Sequence, residues 1–157
     1  MPPFNAPSWK QLTKGYACDA KFGRAASESL LAAVEQALGI RLPVLLREFL
    51  LEADGVIADY GSGVIWSAAE IQKRNQEFRT LACFRDLYMP FDHLLFFGDD
   101  GGGDQFAFAI HADGQVHKHD VFRWEHETDA RSWFAGRLEQ FLETRLKKED
   151  DDDDDMG

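Results

Sequence analysis

From Ser27 onward, Leu30, Leu31, Val34 and Leu38 fall on one stripe of a 3.6-residue period, with Ser27 placed to cap a helix and Gly39 where it would end. In the next segment Pro43 suits a first helical turn, and Leu46, Phe49, Leu50 and Ala53 form a second apolar face before Gly55. Two helices therefore meet at a short corner. Past Gly55 the period changes: Tyr60-Gly-Ser-Gly is turn-like and Val64-Ile65-Trp66 is a short apolar run, which together predict one strand or a hairpin fragment. Ser67 and Glu70 have capping-box spacing and open a helix with Ile71 and Phe78 inward and Lys73, Arg74 and Gln76 outward. A looser stretch holds Cys83 to Pro90. His93 to Phe97 then reads as a buried strand, and Gly98 to Asp104 as a turn too glycine-rich for regular structure. Gln105 to Ile110 predicts a strand, Asp113-Gly114 a hairpin turn and Val116 to Phe122 the return strand, so the centre is a β-meander. Thr128 can cap a last helix with Trp133, Phe134, Leu138, Phe141 and Leu142 inward and Arg131, Arg137, Glu139 and Glu143 facing water.

The two ends differ from this body. Residues 1–26 hold three of the five prolines and no sustained period, which predicts an irregular lead pinned by Phe4, Trp9, Tyr16 or Phe22. Residues 148–157 are an acidic run that cannot bury apolar surface, expected to be a disordered tail, which leaves 27–147 as one domain. With 157 residues and 45% hydrophobic composition, a single core is the expectation.

Charge narrows the partners. Net charge is −11, and seven of the 28 acidic residues lie in Glu149 to Asp155, so the body carries 17 basic against 21 acidic groups. Nucleic acids and anionic membranes both ask for Lys and Arg patches, so neither is expected as a partner; a basic protein suits better. No apolar run approaches the roughly 20 residues of a membrane span, and MPPFNAPSWKQ lacks the basic-then-apolar pattern of a secretory signal, so a cytoplasmic protein is expected. Cys18 and Cys83 match no metal or redox pattern and are read as buried or half-buried free thiols.

Asp99, Asp100 and Asp104 lack the spacing of a calcium loop, and the turn lacks the lysine or helix start of a phosphate cradle; its glycines suit a tight strand connection. The same carboxylates could form a rim that meets Arg or Lys of a partner. His117 and His119 should share a strand face, but with His111 and Asp120 they do not reproduce a binuclear-hydrolase pattern, and no metal or other cofactor is expected. Ser62 lies in Gly-Ser-Gly rather than in a nucleophile elbow, so no catalytic residue is assigned. Of the 20 aromatic residues, Trp66, Trp133 and most phenylalanines sit at periodic core positions. Tyr60, Phe122 and Trp124, at turns or strand ends, are candidate interface anchors.

Three blocks carry a family resemblance: ALGIRLPVLLREFLLEADG, YGSGVIWSAAEIQKRNQEF and LLFFGDDGGGDQFAFAIHADGQVHKHD. In this order they resemble SUKH-superfamily domains of the Smi/Knr type over residues 28–120, and the helix from Trp133 to Leu142 resembles that family's closing helix. The resemblance implies an α+β fold: a mixed, mostly antiparallel sheet packed by two N-terminal helices, a middle helix and a C-terminal helix. It also implies a role in binding other proteins, which in bacteria is mostly immunity against secreted toxins, many of them nucleases. The reading is therefore a non-catalytic immunity protein that binds a basic toxin domain through Asp99, Asp100, Asp104, Tyr60, Phe122 and Trp124. The alternatives are a regulatory or scaffolding module of cell-wall or signalling type, and a metal-dependent hydrolase using His111, His117, His119 and Asp120.

Overall fold

The computed structural model of the chain describes residues 8–58 and 61–147. Tyr60 and the acidic tail lie outside them. The elements run α1 (Trp9–Tyr16), β1 (Lys21–Phe22), α2 (Glu28–Leu38), α3 (Val44–Glu52), β2 (Val56–Ala58), β3 (Ser62–Ile65), α4 (Ala68–Thr80), α5 (Ala82–Leu87), β4 (Leu94–Asp99), β5 (Gln105–Ala109), β6 (Val121–Trp124), β7 (Arg131–Ala135) and α6 (Leu138–Leu146). This is the α+β fold that was expected. The strands form two sheets, β1-β2-β3 and the meander β4-β5-β6-β7, and every pairing among the described residues is antiparallel.

Helix α2 starts and stops as its sequence dictates. Ser27 Oγ accepts the Leu30 N–H, and Gly39 closes the helix at φ +70°, a conformation glycine enters without steric cost. Leu46, Phe49, Leu50 and Ala53 are all fully buried, so the face read from α3 is the real one. The two sheets are joined where the Trp66 N–H donates to the Phe97 carbonyl at 2.8 Å. Gly98 makes that approach possible, since a Cβ there would stand 2.1 Å from the Val64 oxygen. Around this seam lie two aromatic clusters. In one, Phe78, Phe91, Phe96 and Trp124 meet with centroids 4.6–5.9 Å apart. In the other, Phe141 of α6 packs edge-on against Phe97 and Phe106.

Several local expectations are corrected. From Ser8 on, the lead is not irregular: Ser8 and Gln11 form a capping box for α1, and Trp9 packs on Phe49 with centroids 5.7 Å apart; Phe4 lies outside the described residues. The stretch from Cys83 to Pro90 holds most of α5, which begins at Ala82, a helix with no buried residue and hence no periodic signal. The strand expected from Val116 begins at Val121, because His117 to Asp120 offers no apolar side chain to bury, and the Asp113 carboxylate holds Gln115 N–H and His117 in a loop instead.

The closing helix is shorter than expected. Residues 131–135 form β7, since Thr128 and Asp129 make a hairpin turn in which Asp129 sits at φ +64° and Ala130 O accepts from Glu125 N–H. With a two-residue rather than a helical period, Trp133 turns outward and is 57% exposed. Both cysteines are exposed rather than buried.

Candidate protein-binding site

The glycine-rich turn after β4 is held by its own carboxylates. Asp99 Oδ1 accepts the Gly101 N–H at 2.8 Å, and Asp100 Oδ1 accepts those of Gly102 and Asp104 at 2.8 and 3.2 Å. Across the sheet, Arg123 of β6 donates to Asp104 Oδ2 from Nε and from a terminal nitrogen, and to Asp100 Oδ2 at 3.3 Å. His126 completes the set: its backbone N–H and its Nδ1 both reach Asp104 Oδ1, the latter at 2.7 Å.

Electrostatics follow from this geometry. Burial alone would raise the Asp104 carboxyl, but the hydrogen bonds from His126 and Arg123 outweigh it and hold the group below the ordinary aspartate value. The same bond raises the His126 imidazole above its ordinary value. Gly103, at φ +113°, lies against the His126 ring, and a Cβ there would come within 2.7–2.9 Å of it.

Beside this turn runs a groove along α4. Ser67 Oγ accepts the Glu70 N–H, as its spacing predicts, and Asp54 Oδ1 accepts the Ala68 N–H at 2.7 Å, so the helix start carries two caps. Glu70 and Arg74, one turn apart, form an ion pair at 2.7 Å, and the Arg74 guanidinium lies 4.6 Å over the Trp66 ring. The Trp66 indole N–H in turn donates to Asp99 Oδ2 at 2.7 Å. A cavity of about 710 Å³ opens between these groups and the β1–β2 edge, and one of about 470 Å³ continues toward Phe84, Tyr88 and His126. Glu70, Arg74, Gly103 and Gln105 line both, which makes the two cavities one groove with a saddle.

The candidate residues are thus distributed unequally. Asp99 lines the larger cavity, whereas Asp100 and Asp104 are spent on the turn, Arg123 and His126. Trp124 is 2% exposed, in the aromatic cluster, and forms part of the smaller cavity's floor; its indole N–H donates to Asp129. It cannot serve as a protruding anchor. Phe122 is half-buried, paired with Trp133 across β6 and β7, outside the groove. Sequence reasoning misses Gln105, Arg74 and His126 as site residues; the four-residue spacing of Glu70 and Arg74 is the signal that could have found Arg74.

The matched family is described as SUKH_6, SMI1-KNR4 cell-wall, over residues 28–142. The chain belongs to the SUKH superfamily. The match runs from α2 into α6 and includes nearly all of the groove, with Lys21, Phe22 and Gly23 at the rim outside it. No curated protein matches the chain.

In this SUKH domain the histidines of the 111–120 loop are placed apart from the groove's lining. His117 Nε2 meets Asp113 Oδ2 at 2.5 Å, the His111 ring lies edge-on to it, and Asp120 accepts from the Trp133 indole. His117 and His119 therefore do not share a strand face. Among the described residues no group of three or more His, Cys, Asp or Glu is arranged to hold a metal ion. Ser62 is buried, donates to the Ala58 carbonyl and accepts from Arg145 at 2.6 Å. That is the role of a structural hydroxyl.

Proposed function

We propose that this SUKH domain is an immunity protein that takes a surface of a cognate toxin into the groove along α4 and covers its reactive centre without chemistry of its own. The observation that carries the reading is the groove itself: about 710 and 470 Å³ of continuous concave surface, walled by mixed polar and aromatic groups, on a domain of this family. The acidic surplus supports a basic toxin domain, of the nuclease kind, because opposite charge speeds encounter and disfavours wrong partners. On this reading the protein acts in the cytoplasm; no helix among the described residues is long and apolar enough to cross a membrane.

Coexpression with the product of the adjacent open reading frame tests it. A stable complex and restored growth are expected, and a toxic neighbour that the protein fails to neutralise would overturn the reading. A second reading, a regulatory module that docks on a cell-wall or signalling protein, draws on the cell-wall wording of the matched family. A defined complex with such a protein in cells that lack a toxin gene would favour it over immunity.

A further inference from the structure

We infer that the saddle between the two cavities is a subsite for one arginine side chain, carried on a loop of the protein partner. This rests on the binding-protein reading above and adds the chemistry of the contact. The first observation is Gln105. Its side chain lies at the start of β5, the residue is 9% exposed, and Nε2 donates to the Gly103 carbonyl at 3.2 Å. Its Oε1 is buried and meets no donor among the described residues, although Gln105 lines both cavities. Buried acceptors are almost always satisfied, so one without a donor, on a side chain that borders a groove, marks where a donor belongs.

The second observation is charge. Asp54, Glu70 and Asp99 line the larger cavity, facing Lys21 and Arg74, and Arg74 is already engaged by Glu70; along the smaller one Glu77 faces Lys73, and His126 is engaged by Asp104. Asp54 and Asp99 accept hydrogen bonds from the neutral Ala68 amide and Trp66 indole, which leave their charges in place. A cation is therefore the complementary guest. Arginine fits better than lysine because its planar fork can donate to the Gln105 carbonyl and to a carboxylate at once. The groove volume has room for the loop that carries it.

The test uses ¹⁵N-labelled full-length protein titrated with N-acetyl-arginine-amide. Saturable shifts are expected at the Gln105 side-chain amide, the Gly103 N–H and the Trp66 indole N–H, with a Kd on the order of millimolar for so small a probe. Gln105→Met, which keeps the side chain's length and loses its acceptor, should weaken binding about tenfold. Asp54→Asn retains an oxygen for the Ala68 N–H and should weaken it about threefold through charge alone. If Gln105→Met does not fold, Asp54→Asn decides. No saturable shift at these groups, undiminished binding by the variants, or equal shifts from N-acetyl-citrulline-amide or N-acetyl-lysine-amide would overturn the subsite. Growth rescue is scored separately: rescue without probe binding removes the subsite and leaves the immunity reading, and the reverse result does the opposite.

Discussion

Asn75 holds Phe96 by both of its main-chain groups: Nδ2 donates to the Phe96 carbonyl at 2.9 Å, and Oδ1 accepts the Phe96 N–H at 2.9 Å. The side chain of α4 thus stands in for a neighbouring strand on the side of β4 away from β5, and Nδ2 is further used by the Ile71 carbonyl at 2.7 Å. Asn75 is fully buried, so these groups have no water to fall back on.

Replacing Asn75 by alanine should therefore cost about 2–4 kcal/mol, since two buried main-chain groups lose their partners together. Urea unfolding would show a lower midpoint with unchanged slope. Asn75→Asp should be at least as damaging, because it can still accept from Phe96 N–H but cannot donate to its carbonyl and adds a buried charge. A wild-type midpoint for both variants would contradict this bridge.

Gly98→Ala should destabilise by about 3 kcal/mol or more. The added methyl, whose position the backbone fixes, meets the Val64 main-chain carbonyl at 2.1 Å, so no side-chain rotation relieves the clash and the seam between the sheets must open. Gly61→Ala is the contrasting case. It has open space around the Cβ but sits at φ +86°, so its cost should be the smaller, about 1 kcal/mol of backbone strain. Thermal melts of the two variants should separate in that order.

The Asp104–His126 pair imposes a pH window. The raised His126 group stabilises the fold fully below its unfolded value near 6.5, and this is lost as pH rises through the higher folded value. The lowered Asp104 group contributes above about 3.9 and is lost as pH falls through its depressed folded value. The contribution is therefore largest between roughly pH 4 and 6.5. The stability difference between wild type and His126→Ala should be greatest near pH 5.5 and shrink toward pH 8.5, as followed by urea midpoints across pH.

How much of this was legible in the sequence depends on the kind of signal. The stripes of α3 and α4, the Leu31 and Val34 part of the α2 stripe (Leu30 is exposed), the Ser27 and Ser67 caps and the meander order are readable because local pattern determines them. Where a short polar or aromatic segment is decided by its neighbours, pattern fails: the periodicity puts Trp133 on a helix although β6 recruits it to a strand, and Trp124 at a strand end although Phe78 and Phe91 enclose it. The site shows the same division. Three carboxylates near three glycines are visible in the chain, but that Arg123 and His126, about 20 residues on, consume two of them is a tertiary fact. Charge reversal at Asp100 and Asp104 is thus expected to break the turn before it slows any association.

Residues 8–27, before the family-matched span, are part of the folded unit, and Glu52 is the residue that shows it. From the last turn of α3, its two carboxylate oxygens accept the N–H groups of Trp9 and Lys10 at 2.9 and 3.0 Å, a cap supplied from 43 and 42 residues away to the start of α1. A carboxylate at a helix N-terminus answers both the unpaired amides and the positive end of the helix dipole. Glu52→Gln keeps one acceptor and loses the charge, so α1 should loosen by about 0.5–1 kcal/mol while the rest of the core is unaffected. Hydrogen exchange would resolve this as faster exchange from Trp9 to Leu12, with the Trp9–Phe49 contact weakened and β4 and β5 unchanged. Unaltered exchange in α1 would mean that the helix is held by the Ser8–Gln11 box and the Trp9 ring alone, and that Glu52 contributes nothing to its docking.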